Sequence, residues 1–418
     1  MKKSTKIIGI VLALVIATGG VGTLWILGAF RKQEPYPYVF VHGLNGKGTD
    51  KTDDAESDPY WGSTAGNLMQ LLDEKGVTCY APSVGKADSA WDRACELYAQ
   101  LTGGTVDYGA AHAEKYDHER FGKTYNTALI PDWGMRNGTR KINLIGHSFG
   151  GATIRVFTQL MAEGSEEERK ASGKDTSPLF TGGKENRIFS VTALAAPHNG
   201  TTLLYALGGD NSGKIIGGIL SALNTSGLRQ QLEAFGVSLE SRSGLSFDEM
   251  VKLSQTEDNS YYELTLEGAK KLNEWVKPAS KVYYFSYPYD ATKDAAFSLF
   301  SAKGRVGDSE MSLALKPLAA IIGSYDKNKV NDIPVDETWL PNDGLVNTIS
   351  ATAPFEDAQA VFSADKLERG VWNVMPAQRG DHGKPIGLGQ DKDWLVGFYM
   401  EQMEQINALS EKDHWIFN

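Results

Sequence analysis

Two cysteines, Cys79 and Cys95, are all that this 418-residue chain contains. They are too few for a thiolate metal cage, and two states stay open for them: one disulfide in an oxidising compartment, or two buried thiols. Excess positive charge is also missing. A formal net charge of −10 gives no footprint for a polyanion, which excludes nucleic acid as the expected partner. Internal repeats are absent, and so are low-complexity segments beyond the N-terminus. Apolar residues are plentiful at 41%, enough for a large core, so disorder is not expected. The length exceeds a typical domain but suits one α/β unit with insertions.

Only one long hydrophobic run occurs, over residues 7–30, after Lys2, Lys3 and Lys6. At about 1.5 Å per residue in a helix it spans a hydrocarbon core of about 30 Å. It is longer than the apolar part of a cleavable signal peptide, about 7–15 residues, which favours an uncleaved signal anchor over a removed leader. Arg31 and Lys32 on the far side weaken the charge asymmetry. Either reading places the remainder outside the cytoplasm, membrane-anchored or secreted. Residues 1–34 are therefore set apart from a catalytic body over 35–418.

Within that body, Lys141-Ile142-Asn143-Leu144-Ile145 reads as a buried strand that runs into Gly146-His147-Ser148-Phe149-Gly150-Gly151. Apolar residues then recur at helical spacing, at Ile154, Phe157, Leu160 and Met161. Strand, tight turn and helix form the setting in which G-x-S-x-G presents a nucleophile. The glycines let strand and helix approach closely, and the Phe149 N–H lies at a helix N-terminus where negative charge is stabilised. A glycine-rich turn in an inert α/β domain is the alternative. Further strands are expected over 38–41, 77–81, 188–195 and 281–286, with helices over 64–75 and 394–409. Residues 85–131 lack a clear period and read as an insertion. Strands alternating with helices predict a mainly parallel sheet covered on both faces.

A serine hydroxyl needs a base, and the base needs an orienting carboxylate. In the order of α/β-hydrolases the acid and then the histidine follow the serine. Three histidines lie downstream: His198 in a turn that reads as structural, His414 in a charged exposed tail, and His382 in a polar, glycine-rich loop. Asp343, in Asn342-Asp343-Gly344-Leu345-Val346, precedes an apolar run, although Asp-Gly is equally an ordinary turn. A second oxyanion donor is expected from the backbone N–H of Leu44, after His42-Gly43 at the end of the first strand.

Longer motifs extend these. They include Tyr60-Trp61-Gly62, Trp91-Asp92-Arg93-Ala94-Cys95-Glu96 and the run from Gly103-Gly104-Thr105 to Ala110-Ala111-His112. Pro197-His198-Asn199-Gly200-Thr201-Thr202, Gly370-Val371-Trp372-Asn373 and Asp381-His382 follow. Through them the chain resembles the secreted bacterial true lipases, the group of the thermophilic Bacillus and Geobacillus enzymes and the staphylococcal lipases. Its elbow is nearer the staphylococcal form.

The resemblance implies an α/β-hydrolase fold, with Ser148 as nucleophile, Asp343 as orienting acid and His382 as base. It also implies a structural zinc ion held by Asp92, His112, His118 and Asp258, four N/O ligands that close a tetrahedral site. From spacing alone, His112 and His118 read as surface histidines. Family calcium ligands fall two and seven residues after the catalytic histidine, where Lys384 and Gly389 stand here, so the calcium site is expected to be lost. A mobile lid is expected over about 205–246, with Gly208, Gly209 and Gly213 as hinges and an apolar stripe at Ile215, Ile219 and Leu223. A static core helix is the other reading of that stripe. The expected activity is hydrolysis of carboxylic esters, of triacylglycerols first, on a lipid ester substrate at an interface. A short-chain esterase or phospholipase on the same residues, and a non-catalytic surface binding protein, are the alternatives.

Overall fold

The side chains of Tyr38, Val39, Phe40 and Val41 are all buried, and they form β1 (Tyr38–Val41). A strand that is apolar on both faces belongs inside a sheet covered on both sides. The computed structural model describes residues 35–50, 59–135, 138–207, 252–295, 304–325 and 327–416. Its central sheet adds β2 (Cys79–Tyr80), β3 (Ile142–His147), β4 (Ile188–Leu194), β5 (Tyr283–Tyr287), β6 (Gln359–Val361) and β7 (Trp372–Val374). The order is β6-β7-β5-β4-β3-β1-β2, and every pairing is parallel.

Alternation along β1 separates two cores. Val39 and Val41, with Leu144 of β3, pack against α2 (Ala90–Thr102) and α4 (Gly150–Glu163). Tyr38 and Phe40, with Ile145, pack against α1 (Leu68–Asp73) and α6 (Lys392–Ile416). The short helix α3 (Ala110–Tyr116) and α5 (Leu266–Trp275) lie in the intervening connections. Register brings Val41 level with Gly146, so the carboxyl ends of β1 and β3 lie side by side. Open parallel sheets bind ligands along that edge.

Two expectations need adjustment, and one point that the sequence left open is decided. Residues 85–131 are not a patternless insertion. They contain the core helix α2, whose buried face includes Ala90, Ala94, Leu97 and Leu101. Its helical period is masked because Arg93 and Gln100 are buried there too. The helix expected over 64–75 is a 3₁₀ turn at Ser63–Ala65 followed by α1. Gly66, at φ 116°, divides them. Cys79 and Cys95 do not bridge: Cys95 is buried in α2, and the Cys79 thiol points at the Met69 carbonyl.

Among the described residues no helix is long and apolar enough to cross a membrane. The expected anchor over 7–30 and the hinge and stripe residues over 208–223 lie outside the described residues.

Candidate active site and metal cluster

Ser148 follows directly on β3 and adopts φ 55°, a left-handed conformation that a non-glycine residue rarely takes. Its N–H donates to the Leu194 carbonyl at 2.9 Å, and its carbonyl accepts the Gly151 N–H at 2.9 Å. The flanking glycines are required by contact. A Cβ on Gly146 would stand 2.5 Å from the Gly150 oxygen, and one on Gly150 would stand 2.1 Å from the Val41 oxygen. Phe149 caps the fourteen-residue α4, so its N–H lies at the positive end of a long helix.

Far along the chain, Asp343 and His382 meet in a buried pair. His382 Nδ1 lies 2.8 Å from Asp343 Oδ2, and the two side chains are 4% and 1% exposed. Asp343 Oδ1 accepts the N–H groups of Leu345 (3.0 Å) and Val346 (2.8 Å), and the Asp343 carbonyl accepts the His382 N–H at 2.9 Å. A carboxylate only accepts, so Nδ1 carries a proton, and in the neutral ring the lone pair is on Nε2. The His382 ring packs against that of His147, the neighbour of Ser148, with centroids 4.8 Å apart.

The loop after β1 closes over the elbow. A Cβ on Gly43 would stand 2.8 Å from Ser148 Cβ. The Gly43 carbonyl accepts from His42 Nδ1 at 2.8 Å, while His42 Nε2 accepts the Val84 N–H at 3.1 Å. Burial, then the nearby Arg93 charge, lowers His42 to about 3, so its imidazole is neutral with the proton on Nδ1. Because the peptide is planar and trans, the Leu44 N–H points opposite to the pinned Gly43 carbonyl. Among the described residues neither the Leu44 nor the Phe149 N–H has a hydrogen-bond partner. Arg93 is fully buried, donates to the His42 carbonyl, and lies over the Phe149 ring at 5.0 Å.

Sequence reasoning overlooked Arg93, Tyr60 and His147 at this site. Arg93 and Tyr60 stand in the motifs quoted above, but nothing there marks them as neighbours of Ser148. His198, by contrast, is buried against Trp372 with centroids 4.6 Å apart, in keeping with the structural reading of its turn.

A second cluster joins Asp92 of α2, His112 of α3, His118 and Asp258. One ligand atom from each lies within 4.8 Å of the others. His112 Nε2 is 3.3 Å from Asp92 Oδ1 and 3.1 Å from Asp258 Oδ1, and His118 Nε2 is 3.5 Å from Asp258 Oδ2. The hairpin strands Gly104–Asp107 and Phe121–Tyr125 flank α3, braced by Arg120 bonded to both oxygens of Asp107 at 2.9 and 2.8 Å. Glu168 caps α3 by accepting the Ala111 and His112 N–H groups at 3.0 and 2.8 Å.

This donor set fits a divalent cation. His118 Nδ1 donates to the Glu119 carbonyl at 2.9 Å, which leaves the Nε2 lone pair facing inward. Asp92 Oδ1, His112 Nε2 and His118 Nε2 are buried atoms without a hydrogen-bond partner. Burial works against a charged His112, yet the Asp258 and Asp92 carboxylates overcome it and lift that imidazole to about 9. The pocket calls for positive charge.

Near His382, the Lys384 ammonium donates to the Arg379 carbonyl at 2.7 Å, approaches Glu310 at 3.7 Å and lies 5.4 Å over the Trp394 ring. The Gly389 N–H donates to Thr64 Oγ1 at 2.8 Å.

Comparison with known proteins gives a consistent result. Residues 34–396 match the family model described as the lipase-like C-terminal domain. Lipase 1 of Staphylococcus aureus is 35% identical over 373 residues, covering 86% of this chain and 52% of that protein. The chain thus spans about half the length of the curated relatives it matches. Among solved structures, EstA from Clostridium botulinum has a TM-score of 0.72 at 35% identity, covering 90% of this chain and 87% of that one. Staphylococcus hyicus lipase has a TM-score of 0.71 at 31% identity, covering 91% and 98%.

Proposed function

The chain belongs to the family of lipase-like C-terminal domains, and on that premise we propose that it hydrolyses carboxylic esters of lipids, triacylglycerols first, through an acyl-enzyme on Ser148. The observation that carries the reading is the buried Asp343–His382 pair, whose ring packs on the residue preceding the elbow serine. The Ser148 hydroxyl attacks the ester carbonyl while His382 Nε2 takes its proton. Asp343 holds the Nδ1–H tautomer and stabilises the imidazolium. The Leu44 and Phe149 N–H groups receive the tetrahedral oxyanion, a contribution of about 3–4 kcal/mol per donor. His382 then protonates the leaving alcohol, and water repeats the sequence on the acyl-enzyme.

Asp92, His112, His118 and Asp258 would hold a zinc ion. Four protein donors leave no position for a reacting water, so the ion's role is structural and it enters no chemical step. The proposal includes loss of calcium binding beside His382. A cation at Lys384 repels calcium, and Gly389 offers it no side-chain oxygen. The apolar run over residues 7–30 supports delivery of the catalytic body across a membrane.

Treatment with a phosphonate ester followed by mass spectrometry tests the reading. The expected result is one adduct on the peptide carrying Ser148, lost in Ser148→Ala. A labelled peptide elsewhere, or an inert wild-type chain, overturns it. Turnover of short and long acyl esters, above and below their solubility limits, separates a lipase from a short-chain esterase.

A further inference from the structure

Two side chains outside the proposed triad bridge its two halves. The Gly43 N–H donates to the Tyr60 hydroxyl oxygen at 2.8 Å, and that oxygen lies 2.6 Å from His147 Nδ1. His147 Nε2 lies 2.8 Å from the His382 carbonyl oxygen. A carbonyl only accepts, so the His147 proton is on Nε2 and its Nδ1 accepts the Tyr60 O–H. Donor and acceptor roles are thereby settled along the whole path. It begins on the peptide preceding the Leu44 N–H and ends on the backbone of the proposed base.

We propose that Tyr60 and His147 are positioning residues that tie the oxyanion loop to the His382 loop, so that both halves of the site hold one geometry. The inference rests on the ester-hydrolase reading above. Both termini of the path are backbone groups of functional loops, which an ordinary buried histidine has no reason to join. The ring of His147 is held by packing too, with Trp61 at 6.3 Å and His382 at 4.8 Å between centroids. Removing the Tyr60 hydroxyl strands two groups at once, the Gly43 N–H and His147 Nδ1. The oxyanion donor and the imidazole then drift independently. Such a displacement weakens transition-state contacts more than ground-state binding.

The test uses the full chain as wild type, Tyr60→Phe, His147→Gln and the double variant. Glutamine keeps an N–H near the Nε2 position for the His382 carbonyl but offers Tyr60 no acceptor. Steady-state kinetics on p-nitrophenyl butyrate are combined with inhibition by an alkylboronic acid, whose serine adduct mimics the tetrahedral intermediate. Each single variant should lose about tenfold or more in kcat while KM stays within about twofold. The boronate Ki should rise by the factor by which kcat/KM falls. Both substitutions cut the same link, so the double variant should lose no more than either single one. Losses that multiply in the double variant overturn the relay. So does a kcat within about twofold of wild type in the two single variants, or a boronate affinity unmoved while melting temperature and kcat fall together. An inert wild-type chain, or a Ser148→Ala variant that keeps its activity, removes the relay along with the reading beneath it. An active wild type with unaffected variants removes the relay alone.

Discussion

Asp343 holds His382 with one carboxylate oxygen and is itself held by the other. Oδ2 faces the imidazole Nδ1, and Oδ1 is engaged by the N–H groups of Leu345 and Val346. The rotamer is therefore decided by the backbone, independently of the histidine.

This makes Asp343→Asn a sharp test. An asparagine at this position would keep its oxygen on the two backbone donors and turn its amide N–H₂ toward His382. The imidazole would then be driven into the Nε2–H tautomer, unable to take the serine proton. Turnover of a soluble ester should fall by about 10⁴ with little change in melting temperature. Retained turnover would deny His382 its assigned part.

Metal content gives a second check. The purified chain should contain about one zinc ion, by elemental analysis, and Asp258→Asn should lose most of it. Chelation should lower the melting temperature of the wild type and leave that of the variant almost unmoved. Ester turnover measured well below the melting range should survive chelation, because no step passes through the ion.

Calcium is expected to do nothing comparable. After chelation and zinc resupply, added calcium should shift the melting temperature by no more than about 1 °C. A large, saturable stabilisation at micromolar calcium would show that other donors have taken the places of Lys384 and Gly389.

Acid should find a weakness at His198. Both of its ring nitrogens are buried without a hydrogen-bond partner, and burial, then the neighbouring Arg155 charge, holds it well below the ordinary imidazole value. Above about pH 6.5 the ring is neutral in both folded and unfolded chains and contributes no pH dependence. Below that, the unfolded chain binds a proton that the fold refuses, so stability falls with pH by up to about 1.4 kcal/mol per unit. Urea unfolding between pH 5 and 7 should show His198→Gln with a slope against pH smaller than wild type by about one proton.

The elbow was legible because Gly146 and Gly150 each answer a backbone contact, so the motif and its geometry imply one another. β1 was legible because four consecutive apolar residues suit a strand buried on both faces. α2 was hidden because Arg93 and Gln100 occupy its inward side, where a periodicity argument expects apolar residues. Tyr60 and His147 stand 87 residues apart, and their connection depends on tautomers that no local pattern encodes. The four-residue cation cluster was visible only through likeness to other proteins. Two of its members lie on different helices, and nothing in their spacing distinguishes them from surface side chains.

The start of α2 is stitched to the stretch after Asp258 by further bonds. The Ser260 N–H donates to the Ala87 carbonyl at 3.0 Å, and the Ala90 N–H to the Glu263 carboxylate at 2.8 Å, 173 residues away. An ion shared by Asp92 and Asp258 would clasp the same seam and shut a long ring of polypeptide, within which Ser148 falls. Long rings lose the most disorder when clasped. Withdrawing the ion would thus slacken the belt around the serine without disturbing any atom beside it, and heat tolerance would suffer before catalytic competence.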